Sequence, residues 1–499
     1  MKKKMAVFEK IIIVIITGCL VYGSVYFYKF NAPIIKKDWL MILISGVLLA
    51  AMLAAAFWSK TSLKPVARVI NISSCIAASA FIIYSMLNSV LLDYFQPFSL
   101  YDQIIYVVLT GFGIAILYFI TQGIAAFITG RVNLRSMLIM AICMLFILQF
   151  YGLNLLQKDY DYTNIMGGPI KIFKKNEGGY ATFRIPAILV INKDEILNNG
   201  QVLKDDLVLV FAEARRNGSL DKGDIDLVQK ISRDGGKSWS ELIVVETYSE
   251  GIGKIGNPTP VFDSLSGKIM LPHIVGSSRE AYKTYNIEST DGGLTWSEPV
   301  PIFDGLVGPG HGIMIKNGVN TGRLIVPAYY TGGSMCIYSD DNGKTWVKSK
   351  KLPDGNEAEI VEINNDGDLM MIVRTNIGVA TKHNKLNKLY TISTDGGQTW
   401  SELKTFNDIK EPICMSSIVK IDDTLYYSHP DDFYCRGQMT IAASIDKGNT
   451  FSQRKVIYQG ASGYSDLGTT NDGNLLLVFE NGSVEYDERI TLVRISSFN

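Results

Sequence analysis

Residues 232–239 read Ser232-Arg-Asp-Gly-Gly-Lys-Ser-Trp239, and this pattern recurs along the chain. Three further segments match S-x-D-x-G-x-[T/S]-W, at 289–296, 339–346 and 393–400, and a fifth at 444–451 ends on Phe451 instead of tryptophan. The starts of consecutive segments lie 50 to 57 residues apart, which is about the length of one four-stranded blade of a β-propeller. The spacing therefore predicts one blade for each segment.

Each repeated segment is predicted to be the turn of a β-hairpin. Its Asp turns the chain through side-chain hydrogen bonds, its Gly takes a backbone conformation in which a Cβ would clash, and its Trp packs back onto the blade. Alternating apolar runs such as 207–211 and 475–479 supply the flanking strands. Five marked blades and one unmarked closing blade predict an all-β six-bladed β-propeller over residues 165–499. A seven-bladed ring is the alternative, which the length of chain after residue 165 disfavours.

The first 156 residues follow a different pattern. Each of five apolar stretches, near 11–28, 39–58, 69–92, 104–130 and 136–156, has the roughly 20 residues that an α-helix needs to cross the hydrocarbon core of a membrane. The first stretch could be a signal peptide, but the four that follow favour a retained helix. We therefore expect an N-terminal all-α transmembrane bundle of about five helices at 1–156. Because the stretches contain no charged residue, a membrane anchor is favoured over a transporter.

Basic residues beside the apolar stretches predict their orientation, because Lys and Arg are retained on the cytoplasmic side of a membrane. The lysines at 2–4 and the segments 60–68 and 131–135 fall on one side, so five crossings place the rest of the chain outside the cell. This predicts a multi-pass cell-membrane protein with an extracellular second domain. The chain has 48 basic and 48 acidic residues, and this balance gives no indication of a nucleic-acid partner.

The second domain opens with Phe183-Arg-Ile-Pro186, which resembles the F/Y-R-I-P motif of the exo-α-sialidase (neuraminidase) family. The repeated segments resemble the Asp boxes, or BNR repeats, of that family, and the resemblance runs from about residue 170 to the C terminus. Asp boxes are structural turns there and also occur in other propellers, so they predict the fold more strongly than the activity. The family resemblance implies removal of terminal sialic acids from glycoconjugates.

The resemblance also implies a binding site for a carboxylate, because a sialic acid carries one directly on its anomeric carbon. Arginine keeps its charge and its planar fork matches a carboxylate, and the three residues that match the family's arginine triad are Arg184, Arg374 and Arg436. Arg215 resembles the accessory arginine that helps to bind the carboxyl or C4 region of the sugar. Glu480 resembles the glutamate that holds the first arginine in place.

The same resemblance implies the residues that carry the chemistry. Tyr464 resembles the family's nucleophile, a neutral group that the carboxylate of the substrate would not repel. Glu357 resembles the glutamate that takes its proton, with Glu359 as a close rival in the same segment. Asp221 matches the acid/base aspartate that protonates the departing oxygen. Asp224 is the main competitor of Asp221.

Together these residues predict a retaining exo-α-sialidase, a glycoside hydrolase acting on sialylated glycoproteins, glycolipids or oligosaccharides through a covalent tyrosyl intermediate. No metal or organic cofactor is expected. Transfer of the sialic acid to an acceptor sugar, or to its own hydroxyl, is an alternative that the same residues would serve. The alternative from a different class is a non-catalytic sialoglycan-binding domain, which would be free to lose the tyrosine, glutamate and aspartate that this chain keeps.

Overall fold

The computed structural model describes residues 161–221, 223–247, 253–277, 282–375, 387–410, 412–432, 436–483 and 485–498. They belong to the unit formed by Gln157–Val379 and Leu386–Asn499. Apart from a short 3-10 helix at Glu177–Gly179, the regular structure of these residues is β-strand.

The strands form four-stranded antiparallel units, here called blades, that follow one another along the chain. Blade 1 comprises β2 (Thr182–Ile191), β3 (Leu207–Arg215), β4 (Ile225–Ser232) and β5 (Ile243–Glu246). Blade 2 comprises β7 (Val261–Asp263), β8 (Lys268–Gly276), β9 (Lys283–Ser289) and β10 (Val300–Phe303). Blade 3 comprises β12 (Ile313–Met314), β13 (Leu324–Tyr330), β14 (Gly333–Ser339) and β15 (Val347–Lys348). Two short strands supplement these blades, β6 (Lys254–Gly256) between β4 and β8 and β11 (Leu306–Val307) beside β13.

The second half of the domain repeats this arrangement. Blade 4 comprises β16 (Ala358–Glu362), β17 (Leu369–Val373), β18 (Asn387–Ser393) and β19 (Lys404–Lys410). Blade 5 comprises β20 (Ser417–Ile421), β21 (Thr424–Pro430), β22 (Gly437–Ser444) and the first part of β23 (Gln453–Thr469). Blade 6 comprises the second part of β23, β24 (Asn474–Gly482), β25 (Arg489–Ser496) and β1 (Met166–Lys174).

The blades close into a ring. Strands β2, β7, β12 and β13, β16, β20 and β23 contact one another in that order, and β23 returns to β2. Because the outer strand of blade 6 is β1, from the start of the domain, the last blade is completed by two distant parts of the chain. The described residues therefore form an all-β ring of six blades.

Apolar side chains hold adjacent blades together. Strand β3 is buried along its whole length because its two faces pack on different neighbours. Val208, Val210 and Ala212 pack towards blade 6, whereas Leu207 and Leu209 alternate with them and pack towards blade 2. This period of two residues is the geometry of a strand, so a nearly continuous apolar run in the sequence supplies two interfaces at once.

The repeated segments lie where the third strand of a blade turns into the fourth. In the segment 339–346 the Asp341 carboxylate accepts hydrogen bonds from the Ser339 hydroxyl, at 2.8 Å, and from the backbone and hydroxyl of Thr345, at 2.9 and 2.7 Å. The Gly343 amide closes the turn by donating to the Ser339 hydroxyl at 2.9 Å. Blade 6 has no such segment because its third and fourth strands, β25 and β1, are not joined by a turn.

The predicted fold class, an all-α transmembrane bundle followed by a propeller, is wrong in its helical part for the chain that the structure describes. The described residues are built from strands, and no helix among them is both long and apolar enough to cross a membrane. The prediction rested on the length and apolarity of five segments, which are compositional features and specify no tertiary contact. The stretch 1–156 assigned to that bundle lies outside the described residues.

Candidate active site

The eight residues that the sequence predicts for the site come from four blades and lie at one end of them. Blade 1 supplies Arg184 near the start of β2, Arg215 at the end of β3, and Asp221 in the following loop. Blades 4 to 6 supply Glu357 just before β16, Arg374 just after β17, Arg436 just before β22, Tyr464 within β23 and Glu480 within β24. The ring thus brings residues that are far apart in the sequence to one place.

A distortion of β2 aims Arg184 at the site. Ile185 has a φ of 58°, which a β-branched residue rarely adopts, and the pairing of β2 with β3 shifts register between Arg184 and Ala187. Such a conformation costs on the order of 1–3 kcal/mol and persists only where the surroundings hold it. The Glu480 carboxylate provides that restraint, because its Oε1 accepts a 2.8 Å hydrogen bond from the Ile185 amide.

Glu480 also fixes the first arginine and the backbone of the tyrosine. The Arg184 Nε and Nη2 atoms donate to the two Glu480 oxygens at 3.1 and 3.3 Å, and the Tyr464 amide donates to Oε2 at 3.0 Å. Glu480 is fully buried and Arg184 is 4% exposed. Burial alone would lower the pKa of Arg184, but the attraction of Glu480 outweighs it and raises that pKa well above its usual range.

The Tyr464 hydroxyl lies against a carboxylate and a guanidinium group. Its oxygen is 2.9 Å from each of the two Glu357 oxygens, so the hydroxyl donates to that carboxylate. Arg374 Nη1 donates to the hydroxyl oxygen at 2.7 Å and also contacts the Glu357 carboxylate. Burial raises the pKa of Tyr464 well above its usual range, although Arg374 acts in the opposite direction. The phenol is therefore protonated in the free protein, with its proton directed at the Glu357 carboxylate.

Three guanidinium groups surround the Tyr464 ring. The Cζ atoms of Arg184, Arg374 and Arg436 lie 5.5, 5.9 and 5.2 Å from the ring centroid. Arg436 donates from Nη2 to the Ile413 carbonyl oxygen at 3.0 Å, whereas its buried Nη1 and the buried Nε of Arg374 have no hydrogen-bond partner among the described residues. Two guanidinium nitrogens in this cluster are thus left to donate to an anion, a group that guanidinium forks bind well.

Asp221 lies at the edge of this cluster. Its Oδ1 is 2.6 Å from Arg215 Nη2 and 3.5 Å from Arg184 Nη1, and its side chain is 55% exposed. Desolvation favours the protonated acid, but the attraction of the two arginines outweighs it and lowers the pKa of Asp221 well below its usual range. Behind it, Glu213 joins Arg215, at 2.5 Å, to Lys254, at 2.7 Å, in a buried row of alternating charges.

A family model for the BNR repeat-like domain matches residues 205–477 of the chain. The chain belongs to the BNR repeat-like domain family. This match covers more than half of the sequence and includes the repeated segments that the structure places at the third turn of blades 1 to 5.

This BNR repeat-like protein is similar in sequence and in fold to sialidases. A sialidase of Micromonospora viridifaciens is 26% identical over 363 residues, which are 64% of this chain and 52% of that protein, so the chain spans about half the length of that relative. The structure of the Hadza microbial sialidase Hz136 has a TM-score of 0.56 at 22% identity, covering 66% of this chain and 68% of the other. The intramolecular trans-sialidase of Ruminococcus gnavus has a TM-score of 0.53 at 18% identity, covering 67% and 98%. At these identities the two structures show a shared fold.

The structure separates the rival residues that the sequence left open. Glu357 reaches the Tyr464 hydroxyl, whereas the Glu359 carboxylate, two residues further along β16, accepts a 3.2 Å hydrogen bond from the His311 amide. Asp221 contacts two arginines of the site, whereas the hydrogen bond described for Asp224 is from the Arg216 amide to its carbonyl oxygen, at 3.1 Å. The residues first favoured are therefore the ones that the BNR repeat-like domain brings together.

Sequence reasoning missed a second layer of polar residues beneath Tyr464 and Glu357. Asp466 follows Tyr464 by two residues and Glu359 follows Glu357 by two residues, a spacing that places side chains of extended backbone on one face. His311 joins Asp466 and Glu359 at 2.8 and 3.5 Å. His311 and Glu359 carry no local motif, so only the alternation of the strands could have suggested the layer.

These three side chains are close enough to hold a metal ion, since their ligand atoms lie within 4.8 Å of one another. The Asp466 carboxylate, however, already accepts hydrogen bonds from Ile188 N, Ser417 Oγ and Leu467 N at 2.8, 2.8 and 2.9 Å, besides that of His311. With its oxygens engaged by protein donors, Asp466 is suited to a hydrogen-bonded ion pair with His311.

Proposed function

We propose that this protein is a retaining exo-α-sialidase that releases terminal sialic acids from glycoproteins, glycolipids or oligosaccharides. One observation carries the proposal: the Tyr464 hydroxyl lies 2.9 Å from both oxygens of Glu357 and is surrounded by three guanidinium groups. Membership of the BNR repeat-like domain family and the similarity to sialidases support it.

The charge of the site matches the charge of a sialic acid. Arg184, Arg374 and Arg436 would bind the carboxylate that sits on the anomeric carbon, because two of them keep buried N–H groups without a protein partner in the described part of the chain. A carboxylate nucleophile would be repelled by that substrate group, whereas the neutral phenol of Tyr464 would not. The arginines thus place the anomeric carbon against the phenol.

The reaction would proceed by two displacements. The Tyr464 oxygen attacks the anomeric carbon and its proton passes to Glu357, while Asp221, having taken up a proton, gives it to the aglycone oxygen as that bond breaks. Water then attacks the same carbon, its proton passes to Asp221, and the phenolate leaves and recovers its proton from Glu357. Two inversions at one carbon give net retention.

The test is turnover of a fluorogenic sialoside by the full chain. We expect Tyr464→Phe, which removes the attacking oxygen and little volume, to lower kcat by at least about 10³-fold. The matched control is Tyr426→Phe, which removes the hydroxyl of another buried tyrosine, in β21, and should leave kcat unchanged. NMR should show the α anomer released first. Turnover by Tyr464→Phe at the parental rate would contradict the proposal, and binding of sialosides without any release by the parent would favour the binding-domain alternative.

Transfer to the sialic acid's own hydroxyl is a second candidate, because the structure is similar to that of the Ruminococcus gnavus intramolecular trans-sialidase. Product analysis distinguishes the two reactions, since hydrolysis gives the free acid and the intramolecular reaction an anhydro sugar. An added acceptor such as lactose tests transfer between sugars.

We also propose that the domain works outside the cell, where the sialylated glycoproteins and glycolipids of the proposed reaction would be accessible to it. Activity of intact cells on an impermeant sialoside should then equal that of lysed cells. Activity that appears only after lysis would contradict this location.

A further inference from the structure

Tyr486 is a buried aromatic residue of the site that the proposed reaction does not use. It lies between β24 and β25, in a connection held by the Glu488 carboxylate, which accepts hydrogen bonds from Ser483 N at 3.1 Å and Glu485 N at 3.0 Å. The side chain is 8% exposed. The connection between β24 and β25 thus brings an aromatic ring of blade 6 to the arginine cluster.

The ring of Tyr486 lies against two of the three arginines. The Cζ atoms of Arg184 and Arg436 are 5.1 and 5.3 Å from its centroid. Within this distance a guanidinium group is attracted by the negative face of an aromatic ring, by about 2 kcal/mol when the pair is shielded from water. Tyr486 is therefore placed to offset the mutual repulsion of two like charges that must approach one anion.

The neighbouring backbone is shaped to admit this ring. A Cβ at Gly463 would lie 2.8 Å from Tyr486 Cδ2 and 2.2 Å from Glu480 Oε2, so the residue before the proposed nucleophile has to be glycine for both side chains to reach the cluster. The packing of Tyr486 is thus linked to the same turn of β23 that presents Tyr464.

The two arginines depend on the ring to different degrees. Arg184 has a buried carboxylate partner in Glu480, whereas the one side-chain hydrogen bond of Arg436 among the described residues is that to the Ile413 carbonyl oxygen. A carbonyl oxygen holds only one of the two Arg436 terminal nitrogens and carries no full charge. The faces of Tyr464 and Tyr486 are accordingly the main restraint on the orientation of Arg436.

We propose that Tyr486 is a positioning residue that holds Arg184 and Arg436 at the spacing needed to bind the carboxylate of the substrate. The proposal rests on the proposed function, since it assumes that the arginines bind the carboxylate of a sialic acid. The ring, and not the hydroxyl, performs this role. Its loss should weaken binding of the anionic form of a ligand and leave the rest of the sugar's contacts intact.

The experiment compares two probes on the full chain: 2,3-didehydro-2-deoxy-N-acetylneuraminic acid and its methyl ester, which lacks the negative charge. By calorimetry we expect Tyr486→Leu to raise the Kd of the acid about 10- to 30-fold, as loss of roughly 2 kcal/mol of cation–π attraction implies, and to change the Kd of the ester less than about 2-fold. Tyr486→Phe should restore the Kd of the acid to within about 3-fold of the parent. With a sialoside substrate, the change should appear in KM more than in kcat.

The control is Tyr426→Leu, which removes a buried tyrosine outside the site and should leave the ratio of the two Kd values unchanged. If Tyr486→Leu does not fold, Tyr486→Met carries the test with a longer apolar side chain. Equal loss of affinity for acid and ester, or no loss for either, would overturn the proposal. A parent that binds neither probe would instead overturn the proposed function, so the two failures are distinguishable.

Discussion

Glu480 is the residue whose replacement gives the sharpest prediction, because its carboxylate accepts four hydrogen bonds inside the domain. Oε1 accepts from Arg184 Nε and Ile185 N at 3.1 and 2.8 Å, and Oε2 from Arg184 Nη2 and Tyr464 N at 3.3 and 3.0 Å. Glu480→Gln keeps the shape but replaces one oxygen with an N–H donor. In either orientation of the amide, the new N–H donor faces two N–H donors of the protein in place of an acceptor.

The cost follows from the burial of these groups. Breaking a buried ion pair by removing one partner typically costs about 3–5 kcal/mol, and each donor left without an acceptor costs about 1–3 kcal/mol. Because the groups relax together, these costs do not add. We expect Glu480→Gln to lower the free energy of unfolding by about 3–5 kcal/mol, with kcat/KM falling by at least about 100-fold because Arg184 loses its orientation.

Denaturant unfolding followed by tryptophan fluorescence measures the first quantity and a fluorogenic sialoside the second. The control is Glu402→Gln, since Glu402 is exposed and follows a turn remote from the arginines; surface changes of this kind stay within about 0.5 kcal/mol. If Glu480→Gln were as stable and as active as Glu402→Gln, the description of Glu480 as the restraint on β2 and β23 would be refuted.

Three further predictions concern titration and the repeated turns. The arginine partners of Asp221 hold its pKa low in the free protein, and a bound carboxylate would compete for those arginines. The pH above which kcat falls should therefore be higher than the pH above which kcat/KM falls. A fall of both quantities at the same pH would contradict this. Burial favours neutral His311, but Asp466 and then Glu359 outweigh it and raise the pKa of His311 to about 9. Its stabilising contribution should be complete below about pH 6.5 and lost as pH rises through about 9, so thermal unfolding of His311→Gln should depend less on pH in that window than that of the parent. Asp341→Ala removes three turn hydrogen bonds and should lower stability by about 1–2 kcal/mol, with kcat/KM unchanged; a large loss of activity at parental stability would contradict a structural role.

The blades could be predicted from the sequence because their turns are local. In the segment 339–346 every hydrogen bond of Asp341 joins residues at most four positions apart. All the partners of Asp341 therefore lie within the sequence motif itself. Apolar alternation predicted strands for the same reason, since it depends only on neighbouring residues. The helical part of the predicted fold class rested on the length and apolarity of whole segments, and the described residues do not bear it out.

The choice between candidate residues could not be made in this way. Glu357 and Glu359 differ by two positions, which in extended backbone places both side chains on the same face, and each is followed by an apolar residue. Their difference is one of depth along the blade: Glu357 reaches Tyr464, and Glu359 reaches His311. No local pattern contains that information.

The sequence by itself determined the turns, the strands and the chemical types of residue that could bind an anion. The family resemblance implied that Glu357 pairs with Tyr464 and that Glu480 holds Arg184. Only the tertiary structure decided that these side chains meet, Glu357 and Tyr464 across 107 positions of the chain, and that Tyr486 lies against two arginines. The physical reason is the closure of the ring, which brings the first strands of distant blades into contact. Hydrogen bonds and charge attractions act over a few ångströms, so these contacts form only once the ring has closed. They join residues far apart in the chain and therefore produce no repeating pattern in the sequence.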